Sequence, residues 1–193
     1  RSLEKIIKKT KYHFEYIDLG GGMGIDYKNN NKELDFIKYS SLIKNFQIKN
    51  NSKIIFEPGR SIIGNSGFLI SKIVYIKEGH KKDFIILDAA MNDLMRPALY
   101  KATHRIIPIH KKNNKTKKIY EFVGPICEST DKFLTIKNFQ KLYEKDLIAI
   151  CDVGAYGMSL SSNYNLRPKA MEILIKNSEI KIISKRQTLN DLI

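Results

Sequence analysis

Apolar residues in the first 60 positions follow two different spacings. Helical spacing is found at 2–11 and at 33–47, where apolar side chains recur every three or four positions. Two short apolar runs, 14–19 and 54–56, stand before and after the second of these segments. The order strand, glycine-rich loop, helix, strand is that of a βαβ unit, so we expect the two strands to pair in parallel.

After Arg60 the apolar pattern changes to repeated short runs rich in β-branched residues. Turn residues such as Glu78-Gly79 separate these runs, and helical periodicity is scarce, although 90–100 and 138–144 could hold short helical turns. We therefore predict a mainly antiparallel β domain, with its boundary near residues 60–66. The runs are 68–76, 84–88, 105–109, 119–123, 132–136, 147–151, 171–175 and 180–184.

Composition and charge narrow the class of protein. Of the 193 residues 42% are hydrophobic, which excludes collagen-like, low-complexity and disordered chains. No apolar run approaches the roughly 20 residues that span a bilayer. The formal net charge is +14, but Lys is spread along the whole chain, and the densest basic stretch, 111–118, contains Asn residues typical of a solvated loop. We therefore expect neither a membrane nor a nucleic-acid partner.

Cysteine and histidine positions indicate neither a disulfide framework nor a metal site. Cys127 and Cys151 are too few for a framework and lack zinc spacing, which favours a reduced, cytoplasmic compartment. The histidines stand at no metal-ligand spacing, and we interpret all four as surface or loop residues. They are His13, His80, His104 and His110.

Two loops at the ends of the first two predicted strands indicate an anion site. Gly20, Gly21 and Gly22 follow the first strand, and glycine permits positive φ and close approach to a ligand. The second strand ends at 57–60, so both loops should lie at the carboxyl edge of the sheet, as phosphate-binding loops do in many (β/α)8 barrels. Ordinary turns are the alternative. Ile25 breaks the dinucleotide fingerprint, and no Gly-Lys-Ser/Thr follows.

Three further stretches are polar or rich in turn residues within apolar surroundings. Taken singly, Cys127 is typical of a buried filler, Arg96 of a solvated ion-pair partner, and Tyr156 of a core or interface. Together they predict a site assembled from loops. The stretches are 88–100, 124–129 and 152–157.

As an ordered set, these motifs resemble the C-terminal half of the diaminopimelate decarboxylases, a family of pyridoxal-phosphate enzymes in the alanine-racemase-like class. The resemblance implies that 1–62 is the last part of the cofactor-binding (β/α)8 barrel and that 63–193 is a C-terminal antiparallel β-barrel or sandwich domain. The motifs are Asp18-Leu19-Gly20-Gly21-Gly22, Glu57-Pro58-Gly59-Arg60, Met91-Asn92-Asp93 with Arg96-Pro97-Ala98-Leu99-Tyr100, Gly124-Pro125-Ile126-Cys127-Glu128-Ser129, and Gly154-Ala155-Tyr156-Gly157 with Ser161-Ser162-Asn163-Tyr164-Asn165.

The resemblance also implies roles for single residues around pyridoxal 5′-phosphate. Glu57 would pair with the pyridine nitrogen, and a carboxylate there keeps the ring protonated and strengthens it as an electron sink. Tyr156 would add a hydroxyl to the phosphate and also face the substrate. The Gly20–Gly22 loop, with Gly21 and Gly22, and the backbone of Gly59 and Arg60 would hold the phosphate, and Pro58 would also belong to the cofactor site.

For the substrate, the resemblance implies two binding ends and a proton donor. Arg60, Arg96 and Tyr100 would bind a carboxylate, for which the Arg fork is suited. Glu128 would receive the distal ammonium group. Cys127 would supply the proton that replaces CO2, acting in the site of the second subunit of a homodimer.

Two features depart from the family pattern. Thr130 stands where Gly is common, which alters the loop backbone but removes no functional side chain. The family's Schiff-base lysine lies on an earlier barrel strand than the region present here, and about six of the eight strands would be missing. We therefore expect this chain alone neither to close a barrel nor to catalyse, and we expect the N-terminal barrel portion as its partner.

The function implied is that of the C-terminal portion of a decarboxylase that converts meso-2,6-diaminopimelate to L-lysine and CO2. One alternative is an ornithine or polyamine-pathway decarboxylase, in which Asp usually follows the Cys, so that Glu128 favours diaminopimelate. The other alternative is a truncated, non-catalytic relative that only dimerises or binds.

Overall fold

A computed structural model describes residues 2–30, 33–114 and 118–193 of the chain. The chain divides into two compact units, an N-terminal unit, Arg1–Ile62, and a C-terminal unit, Ile63–Ile193. None of the helices in the described ranges is long and apolar enough to cross a bilayer. The predicted basic loop lies partly outside the described residues, since 115–117 are not among them.

The N-terminal unit contains the predicted strand–helix–strand arrangement. Its secondary structure is helix α1 (Ser2–Thr10), strand β1 (Tyr16–Asp18), helix α2 (Phe36–Asn50), strand β2 (Lys53–Ile55) and the start of helix α3 (Gly59–Ile63). β1 and β2 pair in parallel, with Ile17 opposite Ile54. The parallel βαβ unit expected from the apolar pattern is confirmed. The loop predicted at 57–60 is in part the first turn of α3.

Local side chains set the ends of α2. At its start Asp35 accepts the backbone N–H of Lys38 at 2.9 Å, which satisfies a free donor of the first turn. At its end Asn51 takes the left-handed conformation, and its N–H bonds to the carbonyl groups of Gln47 and Ile48. This cap extends the helix by three residues beyond the predicted end.

The described residues of the N-terminal unit do not enclose a hydrophobic core of their own. No residue of α2 is buried, and Ile37, Leu42 and Ile48 on this helix are exposed. Among the described residues of this unit, Ile17 of β1 is the one buried apolar side chain. The two strands are the only ones paired in the described part of this unit, so a closed (β/α)8 barrel is not contained in this chain.

The C-terminal unit is built on a six-stranded sheet, in the order β5-β8-β3-β4-β6-β7. All six of the corresponding apolar runs were correctly predicted as strands. They are β3 (Phe68–Lys77), β4 (Lys82–Leu87), β5 (Ile106–Pro108), β6 (Ile119–Val123), β7 (Lys132–Ile136) and β8 (Leu147–Cys151).

The sheet is mainly antiparallel, as expected, but it is mixed rather than purely antiparallel. β4 and β6 pair in parallel, with Phe84 opposite Glu121, whereas the other four pairings are antiparallel. The parallel pair is possible because residues 88–118 separate the two strands. This long connection brings the chain back to the end of the sheet at which β4 begins, and β6 starts there. β5 and β7 lie at opposite edges, so the described pairings do not close the sheet into the predicted barrel.

Two smaller features complete the C-terminal unit. The short helix α4 (Arg96–Tyr100) falls within one of the two segments that could hold helical turns, whereas 138–144 contains a bridge residue and a turn. Strands β9 (Glu172–Lys176) and β10 (Glu179–Ser184) correspond to the last two predicted runs and pair as an antiparallel hairpin. Asn177 and Ser178 both have positive φ, as the tight turn of a hairpin requires.

The hydrophobic core of the C-terminal unit follows the alternation of its strands. On β4 buried and partly buried positions alternate along the whole strand, because successive side chains point to opposite faces of a sheet. Six core side chains with no exposed surface come from four neighbouring strands, and Leu94, outside the strands, packs with them at 1% exposure. The six are Ile73 on β3, Ile85 and Leu87 on β4, Phe122 on β6, and Ile148 and Ile150 on β8.

Replacement of Ile73 tests this core. Ile73 is 0% exposed, and we expect Ile73→Ala to lower the free energy of unfolding by about 2–5 kcal/mol, because the transfer free energy is lost and a cavity remains. The matched control is Ile70→Ala on the same strand, where the side chain is 52% exposed and the loss should be about 1 kcal/mol or less. Urea unfolding measures both, and equal losses would contradict the assigned core face.

Candidate functional site

The glycine loop after β1 adopts conformations that other residues rarely adopt. Gly20 and Gly22 have φ of +67° and +87°, in the left-handed region. Asp18 accepts the N–H of Gly20 at 2.7 Å, which holds the start of the loop against the end of β1. Gly21 and Gly22 are exposed. The loop therefore presents backbone rather than side chains to its surroundings.

The glycine loop and the loop that follows β2 are in direct contact. The N–H of Glu57 donates to the carbonyl oxygen of Gly20 at 2.9 Å. A Cβ atom added at Gly21 would lie only 2.6 Å from the carbonyl oxygen of Glu57, so no larger residue fits without a shift of the backbone. The structure thus brings together the two loops that the sequence predicted at one edge of the sheet.

Side chains of the second loop differ in their exposure. The carboxylate-bearing Glu57 is exposed, as is Gly59 at the start of α3, whereas Pro58 and Arg60 are partly buried. The backbone of Pro58 is engaged in the turn, since its carbonyl oxygen accepts the N–H of Ile62 at 3.2 Å. The two loops together form a backbone cradle with one exposed acid beside it.

The loop between β6 and β7 carries Cys127 and Glu128, and both are exposed. The exposure of Cys127 does not fit a buried filler. The hydroxyl of Tyr164 donates to one carboxylate oxygen of Glu128, and that of Thr130 lies 3.5 Å from the other. The hydrogen bond to the Glu128 carboxylate and its negative charge raise the pKa of Tyr164. The phenol therefore remains a donor to Glu128 over a wide pH range.

Asp131 organises this loop, and the sequence analysis did not single it out. Its buried carboxylate accepts the N–H of Ile126 at 2.8 Å and the N–H of Met91 at 2.7 Å. A Cβ atom at Gly124 would overlap that carboxylate, which explains the glycine there. Burial raises the pKa of Asp131, and the two backbone donors oppose the rise. The sequence did contain one indication of this role, because Asp131 is an acidic residue at the point where a loop meets an apolar strand.

The Met91-Asn92-Asp93 motif is tied to the segment that follows residue 160. Asn92 is fully buried, and its side-chain amide donates to the carbonyl oxygen of Ser162 at 3.1 Å. Its amide oxygen accepts Nε of Arg167 at 2.9 Å, and Arg167 also lies 3.7 Å from the carboxylate of Asp93. Arg167 was missed by the sequence analysis, although it stands two positions after one of the quoted motifs. These bonds link two of those motifs in space.

Arg96 is buried, with 6% of its surface exposed, and so it is not the solvated ion-pair residue that its type alone indicated. Its Nη1 lies 2.9 Å from Nε2 of His104, and its guanidinium carbon lies 6.0 Å from the ring centre of Tyr156. Tyr156 is half exposed and has a φ of +65°. Tyr100, at the other end of α4, is exposed. The structure therefore groups Arg96 with Tyr156.

Of the four histidines interpreted as surface or loop residues, His104 is a loop residue but not a surface residue. It lies in an irregular segment between α4 and β5, but it is only 1% exposed. A buried guanidinium requires an acceptor, and the imidazole supplies one. His13, His80 and His110 are exposed, as expected.

The predicted site residues thus form two groups, each described within its own unit. The N-terminal group consists of the two backbone loops with Glu57 and Arg60, and the C-terminal group contains Cys127, Glu128 and the pair of Arg96 with Tyr156. Within the described ranges, no cluster of three or more His, Cys, Asp or Glu side chains could hold a metal ion.

Comparison with known proteins places this arrangement in a family. The model of the family described as "Pyridoxal-dependent decarboxylase, C-terminal sheet domain" matches residues 12–154, which is most of the chain. The chain therefore belongs to the pyridoxal-dependent decarboxylases.

Within that family the chain is similar to diaminopimelate decarboxylases. It is 40% identical over 192 residues to the diaminopimelate decarboxylase of Aquifex aeolicus, which covers 100% of this chain and 46% of that protein. The crystal structure of the Helicobacter pylori enzyme complexed with L-lysine has a TM-score of 0.86 and 39% identity over 99% of this chain and 47% of that one. The crystal structure of the M. jannaschii enzyme in complex with L-lysine has a TM-score of 0.89 and 35% identity, and the match covers 99% of this chain and 45% of that one. The chain spans about half the length of these relatives.

The change Asp131→Asn tests the role of Asp131. The amide keeps only one acceptor oxygen and turns a donor toward a backbone N–H, so we expect a loss of about 1–3 kcal/mol in the free energy of unfolding. Urea unfolding measures the loss. Glu78→Gln, at an exposed acid whose ion pair with Lys118 spans 3.8 Å, is the matched control and should change little. An unchanged midpoint for Asp131→Asn would show that its two contacts do not hold the loop.

Proposed function

We propose that the chain is the C-terminal portion of a pyridoxal-phosphate-dependent decarboxylase that converts meso-2,6-diaminopimelate to L-lysine and CO2. The observation that carries the proposal is the match of the whole chain, at 40% identity, to a diaminopimelate decarboxylase. The crystal structure of a related enzyme contains L-lysine, which is the proposed product. The fit of the chain's own residues to each part of that reaction supports it.

The two backbone loops of the N-terminal unit fit the phosphate of pyridoxal phosphate. Gly21 lies so close to the Glu57 carbonyl that a side chain would fill the cradle, and Gly20 and Gly22 supply left-handed turns on either side. Gly21, Gly22 and the backbone of Gly59 and Arg60 would hold the phosphate, with the hydroxyl of Tyr156 as a further proposed ligand. Pro58, which has no N–H to donate, would line the cofactor site beside them.

Glu57 would hold the pyridine nitrogen through its carboxylate, which is exposed beside the cradle. When bound, pyridoxal phosphate supplies an electron sink for the electron pair left behind by the departing CO2. An acid at this position favours a protonated nitrogen, since an opposite charge stabilises the charged form of its partner.

Substrate recognition would use charge at both ends of an amino acid. Arg60, Arg96 and Tyr100 would bind a carboxylate, and the planar guanidinium offers two parallel N–H donors for it. At the distal end Glu128 would receive an ammonium group. The hydroxyl of Tyr164 donates to Glu128 without neutralising it, so the carboxylate retains its charge for the substrate.

Protonation of the product would be the role of Cys127. Its thiol is exposed on a loop whose base is fixed by Asp131, so that loop can present the thiol to a second molecule. We infer a homodimer in which Cys127 and Glu128 of one subunit complete the site of the other. A cytoplasmic location stays an expectation from the cysteine usage.

Activity is tested on the complete protein, in which this chain is joined to the N-terminal portion that its relatives have. We expect kcat/KM for release of CO2 from meso-2,6-diaminopimelate to exceed that for ornithine by about 100-fold or more. The reason is that the shorter substrate would leave Glu128 or one of the proposed Arg ligands without its partner. A preference for ornithine would support the polyamine-pathway alternative. Cofactor binding without any decarboxylation would support the non-catalytic alternative.

Glu128→Asp tests the distal end in the same assay. The carboxylate retreats by one methylene, so the ratio of kcat/KM for diaminopimelate to that for ornithine should fall. The control, Glu78→Asp, changes an exposed acid of the same unit and should leave that ratio unchanged. An unchanged ratio in the Glu128 variant would exclude Glu128 as the residue that measures substrate length.

Mixing of subunits tests the shared site. Cys127→Ala should slow turnover with little change in cofactor absorbance. Equal amounts of Cys127→Ala subunits and of subunits without the cofactor-binding lysine should regain about a quarter of the wild-type activity, because half of the dimers are mixed and each has one intact site. Subunit exchange with no regained activity would contradict this role for Cys127. A mixture of two Cys127→Ala preparations is the control.

A further inference from the structure

His104 is a buried titratable residue to which neither the cofactor nor the substrate assignments give a role. Its Nε2 lies 2.9 Å from Nη1 of Arg96, and its Nδ1 lies 3.0 Å from the carbonyl oxygen of Cys151. The ring therefore connects the first residue of α4 to the last residue of β8. β8 is paired with strands on both sides, so one end of this connection is fixed in the sheet.

The chemistry of the two partners determines which ring nitrogen carries the proton. Arg96 has only N–H donors, so Nε2 of His104 must accept and must be unprotonated. The carbonyl oxygen of Cys151 is an acceptor, so Nδ1 carries the proton and donates it. Only the neutral ring makes both bonds, and an imidazolium would place an N–H against an N–H of Arg96.

The contact with His104 restricts the orientation of the Arg96 guanidinium, since both side chains are buried. A long, flexible side chain loses its other orientations when one guanidinium nitrogen is bonded to a fixed acceptor. The Tyr156 ring, 6.0 Å from the guanidinium carbon, restricts the same group from another side. Both contacts restrict the orientation of the guanidinium group.

We propose that His104 is a positioning residue, which in its neutral form holds the Arg96 guanidinium in the orientation that binds the substrate carboxylate. This proposal rests on the proposed function, because it takes the role of Arg96 from there. It adds a residue that does not touch the substrate, and it predicts how substrate binding depends on pH.

The groups around His104 set the direction of that dependence. Burial lowers the pKa of His104, and the nearby charge of Arg96 lowers it further, whereas the bond to the Cys151 carbonyl and the charge of Asp152 oppose the shift. Asp152 is itself 3.9 Å from Arg105. The ring is therefore neutral at pH 7 and above. As the pH falls through its pKa, the acceptor for Arg96 is lost and KM should rise.

The test uses the complete holoenzyme and two variants with opposite expectations. Gln places an amide near the position of Nε2 and can accept from Arg96, so His104→Gln should keep KM within about threefold of wild type. Asn reaches only the position of Nδ1, so His104→Asn should raise KM for diaminopimelate about tenfold, with a smaller change in kcat. His110→Asn, at an exposed histidine, is the matched control.

Two further measurements separate positioning from a purely structural role. The rise of KM at acid pH should be present in the wild type and absent in His104→Gln. In an Arg96→Ala background, His104→Asn should cause no further rise of KM, since the two residues act as one unit. The proposal would be overturned if the Asn and Gln variants had equal KM, or if the rise of KM at acid pH persisted in His104→Gln. It would also be overturned if the effects of His104→Asn and Arg96→Ala on KM were additive.

Measurements on the wild-type enzyme distinguish failure of the His104 proposal from failure of the proposed function. If wild-type protein decarboxylates diaminopimelate and Arg96→Ala raises KM, the proposed function stands whatever the His104 variants do. If wild-type protein lacks that activity, the proposed function fails. Thermal unfolding of each variant, compared with His110→Asn, shows whether a loss of activity reflects loss of the fold.

Discussion

The buried carboxylate of Asp131 is the interaction on which the candidate site in the C-terminal unit most depends. It accepts a backbone N–H from its own loop and another from the segment that begins at Met91. Loops have few apolar contacts to hold them, and buried polar groups must be paired. A single side chain that satisfies two segments at once therefore fixes both, and with them the exposed Cys127 and Glu128.

The same principle places the other loops around the sheet. Asn92 and Arg167 join the 91–93 segment to residues beyond 160, and His104 joins Arg96 to the last residue of β8. Each contact connects an irregular segment either to another such segment or to a core strand. The fully buried apolar side chains of the sheet supply stability, and these polar contacts supply the positions of the side chains proposed to do the chemistry.

The mixed sheet explains why the chain can carry such a site. Because β4 and β6 are parallel, the chain must cross between their opposite ends, and the connection 88–118 does so. That connection contains α4 and the buried His104. In the N-terminal unit, by contrast, two parallel strands present a backbone cradle, and Ile37, Leu42 and Ile48 of α2 are exposed. The chain therefore contributes two kinds of surface, one of backbone donors and one of charged side chains.

Local pattern determined most of the secondary structure. Short apolar runs rich in β-branched residues predicted every strand from β3 to β10, and the glycines at 20–22 indicated a loop that permits positive φ, because these features depend on neighbouring residues alone. The ordered motifs indicated the family that the comparison then established. The sequence could not show that β4 and β6 run parallel, since the residues of a strand do not determine which strand it pairs with or in which direction.

Tertiary structure alone decided the polar contacts that hold the site. Nothing local to Asp131 shows that it bonds to Met91, which lies 40 positions earlier. His104 could not be told from the three exposed histidines by spacing, and Arg96 had the residue type of a solvated side chain. Their burial and their mutual contact depend on how the segment between α4 and β5 packs against the end of β8. Contacts between side chains so far apart in the chain are determined by the packed sheet rather than by the sequence pattern.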